Sequence, residues 1–342
     1  MTHRDVVAVG ASAGGVEALR ALVAGLPSDL AAAVLVVLHM PREAPSALPQ
    51  ILDRSGPLPA TVAVDGEELR PGHIYVAVAD HHLLVLDHRV RLSHGPAENG
   101  HRPAIDPLFR SVARAAGPRA VAVVLSGARD DGAVGAAAVA ARGGVTIVQD
   151  PEDALCGSMP RAAIARRRPD YVARAAEIGG LLSGLITMPL PEQLPTALGD
   201  ARLDDEVAMS DFADITTDQL LTVPAGYGCP SCGGGLFELE QTPAPRYRCR
   251  IGHAWSPESL LDEQAVTTEG ALWMALRALE EKSALSRRMA SSRTGLSYGD
   301  RFDRMARDAE QAGALIRSLI ERLAGDPRPA RADQGAARDG VA

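Results

Sequence analysis

Three side chains that could act together on an ester or an amide stand far apart in the sequence. Ser12 lies in the run Gly10-Ala-Ser-Ala-Gly14, which follows an apolar segment and fits the glycine-x-serine-x-glycine pattern of a nucleophilic serine. His39 and Asp131 also follow apolar segments. A nucleophilic serine needs a base that takes its proton and a third group that orients the base, and these residue types can supply all three.

The three residues follow segments that resemble buried strands. Residues 5–185 alternate between short apolar runs and segments whose apolar residues have helical spacing. The runs that end before the serine, the histidine and the aspartate cover residues 6–9, 33–38 and 121–125. Strands that alternate with helices favour a doubly wound, mostly parallel sheet, in which the carboxyl ends of the strands meet at one edge. We therefore predict an α/β fold that brings the three side chains together.

The glycine-rich loop has other interpretations. A dinucleotide-binding loop would need glycine in place of Ser12 and an acidic residue after the second strand, which instead ends in His39-Met-Pro. Taken singly, a histidine at a strand end more often makes a structural hydrogen bond, and an aspartate before a helix more often caps it. A binding module that keeps the fold without activity is thus an alternative, and a nucleotide-binding protein is a weaker one.

Five segments occur in the order found in one known family. They are Gly10-Ala-Ser-Ala-Gly-Gly, His39-Met-Pro, Pro71-Gly-His-Ile-Tyr-Val-Ala, His101-Arg-Pro-Ala-Ile-Asp-Pro-Leu-Phe and Asp131-Gly. With them, about residues 5–185 closely resemble the catalytic domain of CheB, the chemotaxis protein-glutamate methylesterase. The resemblance implies a serine hydrolase that removes methyl esters from glutamate side chains of helical chemoreceptors, often with glutamine deamidation as well.

The resemblance also implies roles for individual residues. Ser12 is expected to be the nucleophile, His39 the general base and Asp131 the group that orients the base. The backbone amides of Ala13 and Ala128 are expected to bind the oxyanion. The reaction needs no cofactor.

Three features depart from the family pattern. Ala13 follows the nucleophile where family members often have threonine or serine. Arg129 and Asp130 stand where the aspartate loop usually reads Met-Gly-Asn-Asp-Gly, and we expect them to alter substrate preference. The typical protein carries an N-terminal phosphoacceptor receiver domain. Because the first strand begins near residue 5, we expect no receiver here. Either the enzyme is then constitutive, or residues 209–325 or a separate partner regulate or target it.

Three of the four cysteines form a metal-ligand pattern with a histidine. Cys229-Pro-Ser-Cys232 is followed by Cys249-Arg-Ile-Gly-His253, and ligand pairs on two facing turns suit tetrahedral zinc. Four ligands leave no open coordination position, so we predict a structural zinc in a ribbon over residues 226–255. We expect its removal to leave catalysis intact. Four unrelated residues or a redox pair are the alternative, which does not explain the histidine.

Composition and spacing divide the chain into a catalytic domain, a linker, the ribbon, a helical segment and a tail. A catalytic domain is predicted over 1–186, a proline-rich and acidic linker over 187–225, and a disordered tail over 326–342. Between ribbon and tail, residues 256–325 have apolar residues at heptad spacing, from Leu261 in the first helix to Leu323 in the second. We predict an antiparallel helical hairpin, which either covers its own seam, mediates dimerisation or docks onto a helical partner such as a receptor.

The composition excludes several classes of protein. The formal net charge is −8, from 35 Lys and Arg against 43 Asp and Glu, which argues against nucleic acid as the main partner. No uncharged apolar run is long enough to span a bilayer, and the first residues lack an apolar stretch of signal-peptide length. We therefore expect a cytoplasmic protein that does not insert into membranes.

Overall fold

The computed structural model of the chain divides into two compact units, with the boundary between Leu260 and Leu261. It describes residues 3–43, 46–190, 201–211, 223–239, 245–291 and 296–324. Within these ranges no helix is both long and apolar enough to cross a membrane. The tail predicted to be disordered, 326–342, lies outside the described residues.

A seven-stranded parallel sheet forms the centre of the first unit. Its strands are β1 (Val6–Ala11), β2 (Ala33–Leu38), β3 (Ala60–Val62), β4 (Ile74–Val76), β7 (Ala120–Val124), β8 (Val145–Gln149) and β9 (Tyr171–Ala173). They lie in the order β3-β4-β2-β1-β7-β8-β9. The helices are α1 (Gly15–Ala24), α2 (Leu48–Ser55), α3 (Ile105–Ala116), α4 (Ala133–Ala141), α5 (Ser158–Arg166) and α6 (Ala175–Thr187). The predicted doubly wound α/β fold is confirmed.

Apolar residues on both faces explain why the central strands are buried. In β1, Val7 and Val9 face a core that includes α1 and α6, whereas Ala8 faces a core that includes Phe109 and Val112 of α3. Side chains of a strand alternate between the two faces, so a strand covered by helices on both sides reads as a continuous apolar run. This is the pattern from which the strands were predicted.

A two-stranded hairpin lies beside the sheet. β5 (His82–Leu86) and β6 (Arg89–Ser93) are antiparallel. The connecting residues Asp87 and His88 have φ of 48° and 62°, the left-handed conformations of a two-residue hairpin turn.

A helix lies inside the interval that was predicted as a linker. This helix, α7 (Ala201–Ser210), packs against α3, and Arg114 of α3 pairs with Asp204 at 2.6 Å. The acidic composition of the segment favoured a linker, but those acids pair with arginines of the first unit. The rest of the predicted linker falls largely on 191–200 and 212–222, outside the described residues.

The cysteine-rich segment folds as an antiparallel four-stranded sheet. Its strands are β10 (Val223–Gly228), β11 (Gly235–Glu238), β12 (Tyr247–Cys249) and β13 (Ala254–Trp255). We call the described residues 223–239 and 245–256 the ribbon. β11 and β12 pair with each other in the middle of this sheet. The ribbon belongs to the first unit, together with the large sheet.

Two long helices account for the second unit. They are α8 (Pro257–Ser291), whose first residues belong to the first unit, and α9 (Leu296–Ala324). Arg287 of α8 pairs with Glu310 of α9, and the earlier Glu280 pairs with the later Arg317, each at 2.7 Å. Partners that advance on one helix as they recede on the other show an antiparallel hairpin, as predicted.

Candidate active site

Ser12 occupies the turn between β1 and α1. The strand ends one residue before it, so the serine stands at the carboxyl edge of the sheet. Gly14 has φ of 71°, a left-handed conformation that favours glycine. A Cβ at Gly14 would lie 2.6 Å from Cβ of Leu155 and 2.8 Å from Oγ of Ser126. The small residue therefore permits the sharp turn and the close approach of the neighbouring loop.

His39 reaches the serine because β1 and β2 are parallel neighbours. Its Nδ1 lies 3.1 Å from Oγ of Ser12, and its Nε2 lies 2.7 Å from Oδ2 of Asp131. The side chains of the histidine and the aspartate are 6% and 2% exposed. An ionised carboxylate only accepts hydrogen bonds, so Nε2 carries the proton and Nδ1 is left to accept from the serine hydroxyl.

Asp131 receives donors on both carboxylate oxygens. Oδ2 accepts from Nε2 of His39 and from the amide of Ile105 at 2.6 Å. Oδ1 accepts from Nδ2 of Asn99 at 3.0 Å and from the amide of Asp106 at 3.2 Å. Burial raises the pKa of Asp131, but the hydrogen bond and charge of His39 and the Ile105 amide outweigh it and hold that pKa below its usual range. Asp131 is therefore an ionised, fully partnered carboxylate.

A second histidine, His101, packs against the first. The rings of His39 and His101 are stacked, with centroids 3.7 Å apart and planes 10° apart. Burial, and next the charge that His39 can carry, lower the pKa of His101 to about 3. His101 is therefore neutral near pH 7, and it orients the His39 ring without a charge of its own.

Asn99 and His101 flank Gly100 in a tight turn. Glu98 and His101 exchange backbone hydrogen bonds of 2.8 and 3.1 Å, and Asn99 and Gly100 have φ of 52° and 80°. The sequence motif that contains His101 supported the family resemblance, but neither Asn99 nor His101 was assigned a role from the sequence. The dipeptide Asn-Gly, a strong signal for such turns, was available.

A second buried carboxyl group, Asp106, lies beside Asp131. Its Oδ1 accepts from the amide of Gly135 at 2.7 Å. Burial, and next the charge of Asp131, raise the pKa of Asp106 to about 7, against the opposing effect of Arg110. Two close carboxyl groups thus have pKa values displaced in opposite directions, which is common where one group must stay ionised.

The residues expected to supply the oxyanion amides adjoin Ser12 in the chain or follow a residue that packs against it. Ala13 follows Ser12, and Ala128 follows Gly127, where an added Cβ would lie 2.9 Å from Cβ of Ser12. The amide of Gly127 itself donates to the carbonyl of Cys156 at 2.9 Å. Within the described ranges, the amides of Ala13 and Ala128 donate to no other group, so both are available to a ligand.

Asp130, one of the two residues expected to alter substrate preference, contacts Ser256 at the end of the ribbon and Ser259 at the start of α8. Its Oδ1 accepts from the hydroxyls of Ser256 and Ser259, each at 2.8 Å. Burial raises the pKa of Asp130, and these two hydrogen bonds oppose that rise. The departure from the family loop is thus explained by packing inside the first unit.

The predicted metal ligands converge in the ribbon. The ligand atoms of Cys229, Cys232, Cys249 and His253 all lie within 4.8 Å of one another. Sγ of Cys232 and Sγ of Cys249 are 3.7 Å apart, and Sγ of Cys249 is 3.5 Å from Nδ1 of His253. Tetrahedral zinc with bonds of about 2.3 Å to sulfur and 2.0 Å to nitrogen places such pairs about 3.8 and 3.6 Å apart. The cluster therefore fits zinc.

Known proteins resemble the part of the chain that holds this site. The sequence pattern of the CheB methylesterase family matches residues 7–182. The protein-glutamate methylesterase/protein-glutamine glutaminase 1 of Xanthomonas euvesicatoria pv. vesicatoria is 41% identical over 166 residues, which are 47% of this chain and 46% of that protein. The protein-glutamate methylesterase/protein-glutamine glutaminase 2 of Methanosarcina mazei is 37% identical over 177 residues, 49% and 48% of the two chains.

A solved structure covers the same region. The catalytic domain of Thermotoga maritima CheB methylesterase superposes with a TM-score of 0.52 at 33% sequence identity, over 54% of this chain and 100% of that one. The chain spans about half the length of the curated relatives it matches. The likeness thus covers the large sheet and its helices.

Proposed function

The chain belongs to the CheB methylesterase family, and we propose that it is a protein-glutamate methylesterase whose catalytic triad is Ser12, His39 and Asp131. The observation that carries the proposal is the unbroken hydrogen-bond chain from the serine hydroxyl through the imidazole to a buried, ionised carboxylate. This arrangement activates serine in hydrolases of unrelated folds.

The reaction proceeds in two halves through an acyl-serine. Oγ of Ser12 bonds to the carbonyl carbon of the methyl ester while Nδ1 of His39 takes the hydroxyl proton. The bond to the methoxy group breaks, and the imidazolium returns the proton so that methanol leaves. A water molecule, deprotonated by His39, then attacks the acyl-serine, releasing a glutamate carboxylate and restoring the serine hydroxyl. Asp131 stabilises the imidazolium in both halves.

The amides of Ala13 and Ala128 bind the oxyanion of each tetrahedral intermediate. Their proximity to Ser12 and their lack of a partner among the described residues support this role. Hydrogen-bond donors aimed at the developing charge usually supply a large share of such catalysis.

The substrate class follows from the relatives. Their names pair methylesterase with glutaminase activity, and the same acyl-serine forms from a glutamine side chain if ammonia leaves in place of methanol. We propose methylated glutamate on a helical, chemoreceptor-like protein as the main substrate, in chemotaxis or related signalling adaptation, with glutamine deamidation as a second activity.

The ribbon holds a structural zinc in this proposal. Three cysteine sulfurs and one imidazole within 4.8 Å of one another, with two pairs at tetrahedral separations, support zinc, and four protein ligands leave no position for a substrate. The described cysteines are free thiols, which supports a reducing, cytoplasmic location.

Methanol release from a peptide that carries a glutamate γ-methyl ester tests the function. We expect the wild-type chain to release methanol, and Ser12→Ala to lower kcat by at least about 1,000-fold with an unchanged Tm, because only the nucleophile is lost. Full activity in Ser12→Ala would contradict the mechanism. No hydrolysis by the folded wild-type chain would favour the non-catalytic binding module.

A further inference from the structure

Asn99 connects the ribbon to the active site. It is 4% exposed. Its Nδ2 donates to Oδ1 of Asp131 at 3.0 Å, and its Oδ1 accepts from the amide of Ser256 at 2.9 Å. The amide group is planar and its two ends differ, so only one orientation satisfies both partners. A displacement of Ser256 therefore reaches Asp131 through one rigid group.

The backbone of the ribbon also lies against the turn that carries Asn99. The amide of Asn99 donates to the carbonyl of Ala254 at 2.8 Å, and the amide of Ala254 approaches the carbonyl of Ala97 at 3.4 Å. Ala254 directly follows His253, one of the four candidate ligands. The metal cluster and the turn are thus separated by a single residue of strand β13.

A buried ion pair joins Arg248, which precedes the candidate ligand Cys249, to Glu98, which precedes Asn99. Arg248 precedes Cys249, donates to the carbonyl of Gly252 at 2.9 Å and donates to Oε1 of Glu98 at 3.1 Å. Glu98 also pairs with Arg110 of α3 at 2.6 Å. Breaking a buried pair on one side leaves an uncompensated charge, so the position of Glu98 depends on a folded ribbon.

Two serines at the junction of the ribbon and α8 bind Asp130, the residue before Asp131. The hydroxyls of Ser256 and Ser259 donate to Asp130, which directly precedes Asp131 in the chain. The ribbon and the first turn of α8 therefore contact two neighbours of Asp131: Asn99, which donates to its carboxylate, and Asp130, which precedes it in the chain.

We propose that the metal-bound ribbon positions Asp131 through Asn99, so that loss of the metal lowers the esterase activity. This proposal rests on the proposed function and deepens it, since it names what controls the site. It replaces the expectation that the zinc and catalysis are separate. Asn99 is a positioning residue in this scheme, because it acts on Asp131 and not on the substrate.

The ribbon depends on the metal because its own core is small. The buried apolar cluster consists of Cys229, Leu236, Cys249, Trp255 and Leu260, and two of these five are candidate ligands. A knot of this size gains most of its folding free energy from the metal. Without it, the amide of Ser256 and the side chain of Arg248 lose their fixed positions.

The first experiment removes the metal from the full chain. Zinc is extracted with 1,10-phenanthroline under a thiol reductant, and kcat and KM are measured on a small γ-methyl glutamyl ester. We expect kcat to fall about tenfold or more, since small misplacements of catalytic groups have effects of this size. KM should change little, and added Zn²⁺ should restore kcat. Unchanged kcat after verified metal loss would overturn the proposal.

Hydrogen exchange gives a measurement that does not depend on activity. The amides of Ile105 and Asp106 donate to Asp131, so metal loss should speed their exchange while the amides of β1 stay protected. Unchanged exchange at Ile105 and Asp106 would contradict the coupling. If the loaded wild-type chain hydrolyses no ester, the proposed function fails, and this measurement still tests the coupling.

A variant separates positioning from folding. Asn99→Gly tolerates the positive φ and removes the three side-chain hydrogen bonds, to Asp131, Asp106 and Ser256, while the zinc stays bound. We expect kcat to fall about tenfold and to respond little to chelation afterwards, because the connecting group is already gone. The matched control is Asp87→Gly, in an exposed left-handed position of the β5–β6 turn, which should leave kcat unchanged. If chelation unfolds the whole chain, a zinc-loaded Asn99→Gly variant with wild-type kcat would overturn the proposal.

Discussion

Asp106 and Asp131 are neighbouring buried carboxyl groups with different partners. Asp131 accepts from His39, Asn99 and two backbone amides, and it stays ionised. Asp106 accepts from the amide of Gly135 at 2.7 Å and from Nδ2 of Asn99 at 3.4 Å, and it has a pKa of about 7 because of burial and the charge of Asp131. Near neutral pH, Asp106 is therefore protonated for part of the time while Asp131 stays ionised.

Asp106→Asn tests this difference through stability. A carboxyl pKa raised above its ordinary value of 3.8 stabilises the folded chain at low pH, and that contribution is lost as pH rises from about 4 to 7. Asparagine cannot ionise, so the variant does not lose this contribution. The free energy of unfolding of the variant minus that of wild type should therefore be larger at pH 8 than at pH 5. Urea unfolding at both pH values measures this. The same difference at both would contradict the raised pKa.

His101 is expected to act through its ring and not through a proton. We expect His101→Phe to keep most of kcat, because a flat ring can still stack on His39, whereas His101→Ala should lower kcat. The pKa of His101, about 3, lies below the working range, so the kcat profile from about pH 5 to 9 should keep its shape in the phenylalanine variant. If a pH-dependent rise or fall of kcat disappeared in His101→Phe, His101 itself would titrate in this range.

The sequence predicts part of this site and misses the rest for a physical reason. Ser12, His39 and Asp131 were predicted to meet because each follows an apolar run, and parallel strands end at one edge; the structure brings them together. Asn99 and His101 reach the site from a turn that no periodic pattern marks. Their contacts depend on how that turn folds back over the sheet, which spacing in the sequence does not contain.

At the scale of elements, α6 carries two adjacent glycines in different surroundings. A Cβ at Gly179 would lie 2.5 Å from the carbonyl carbon of Gly25 and 2.6 Å from the carbonyl oxygen of Leu22, at the end of α1. A Cβ at Gly180 would meet no atom within 4 Å. The first glycine therefore permits close helix packing, and the second only adds freedom to the unfolded chain.

Alanine at the two positions should have opposite effects. Gly179→Ala forces backbone apart and should destabilise the first unit by about 1–3 kcal/mol. Gly180→Ala should stabilise it by about 0.5–1 kcal/mol, since alanine favours helix more than glycine. Thermal melts of both variants against wild type give the comparison. Shifts of the same sign would refute the packing described here.

The spacing of apolar residues predicted where the helices lie better than it predicted which of their residues are buried. The heptad pattern predicted the helical hairpin but placed Leu261 in its seam, and this side chain is 68% exposed. The buried positions of α8 include Leu276, Ser283 and Ser286. Small polar residues can fill a seam where helices approach closely, and an apolar repeat does not identify them. The segment of α7 was predicted as a linker because it is acidic, and composition does not show that its acids pair with arginines.

At the scale of the whole chain, the ribbon is part of the first unit and not an appendage to it. Glu98 pairs with Arg248 and Arg246 of the ribbon, and Arg91 of β6 pairs with Asp211 after α7. The sequence predicted a boundary near residue 186, because the large sheet is complete there. The contacts that place the ribbon in the same compact unit as the large sheet join charged residues far apart in sequence.

Two shortened chains distinguish these boundaries. A chain ended after residue 264 should keep the Tm of the first unit and its kcat on a small methyl ester. A chain ended after residue 190 should have a lower Tm and a kcat lower by about tenfold, because Glu98 and Asn99 lose their ribbon partners. Equal activity of the two would contradict the role of the ribbon.

The identity of the nucleophile is tested most directly by covalent labelling with a fluorophosphonate. We expect one adduct per chain, mapped by mass spectrometry to Ser12, and slower labelling in His39→Ala. Ser126→Ala is the matched control, since Ser126 Oγ lies beside the turn but donates to the carbonyl of Ala13, and it should still be labelled at Ser12. An adduct on another residue of the wild-type chain, or equal labelling of Ser12→Ala, would show that Ser12 is not the nucleophile.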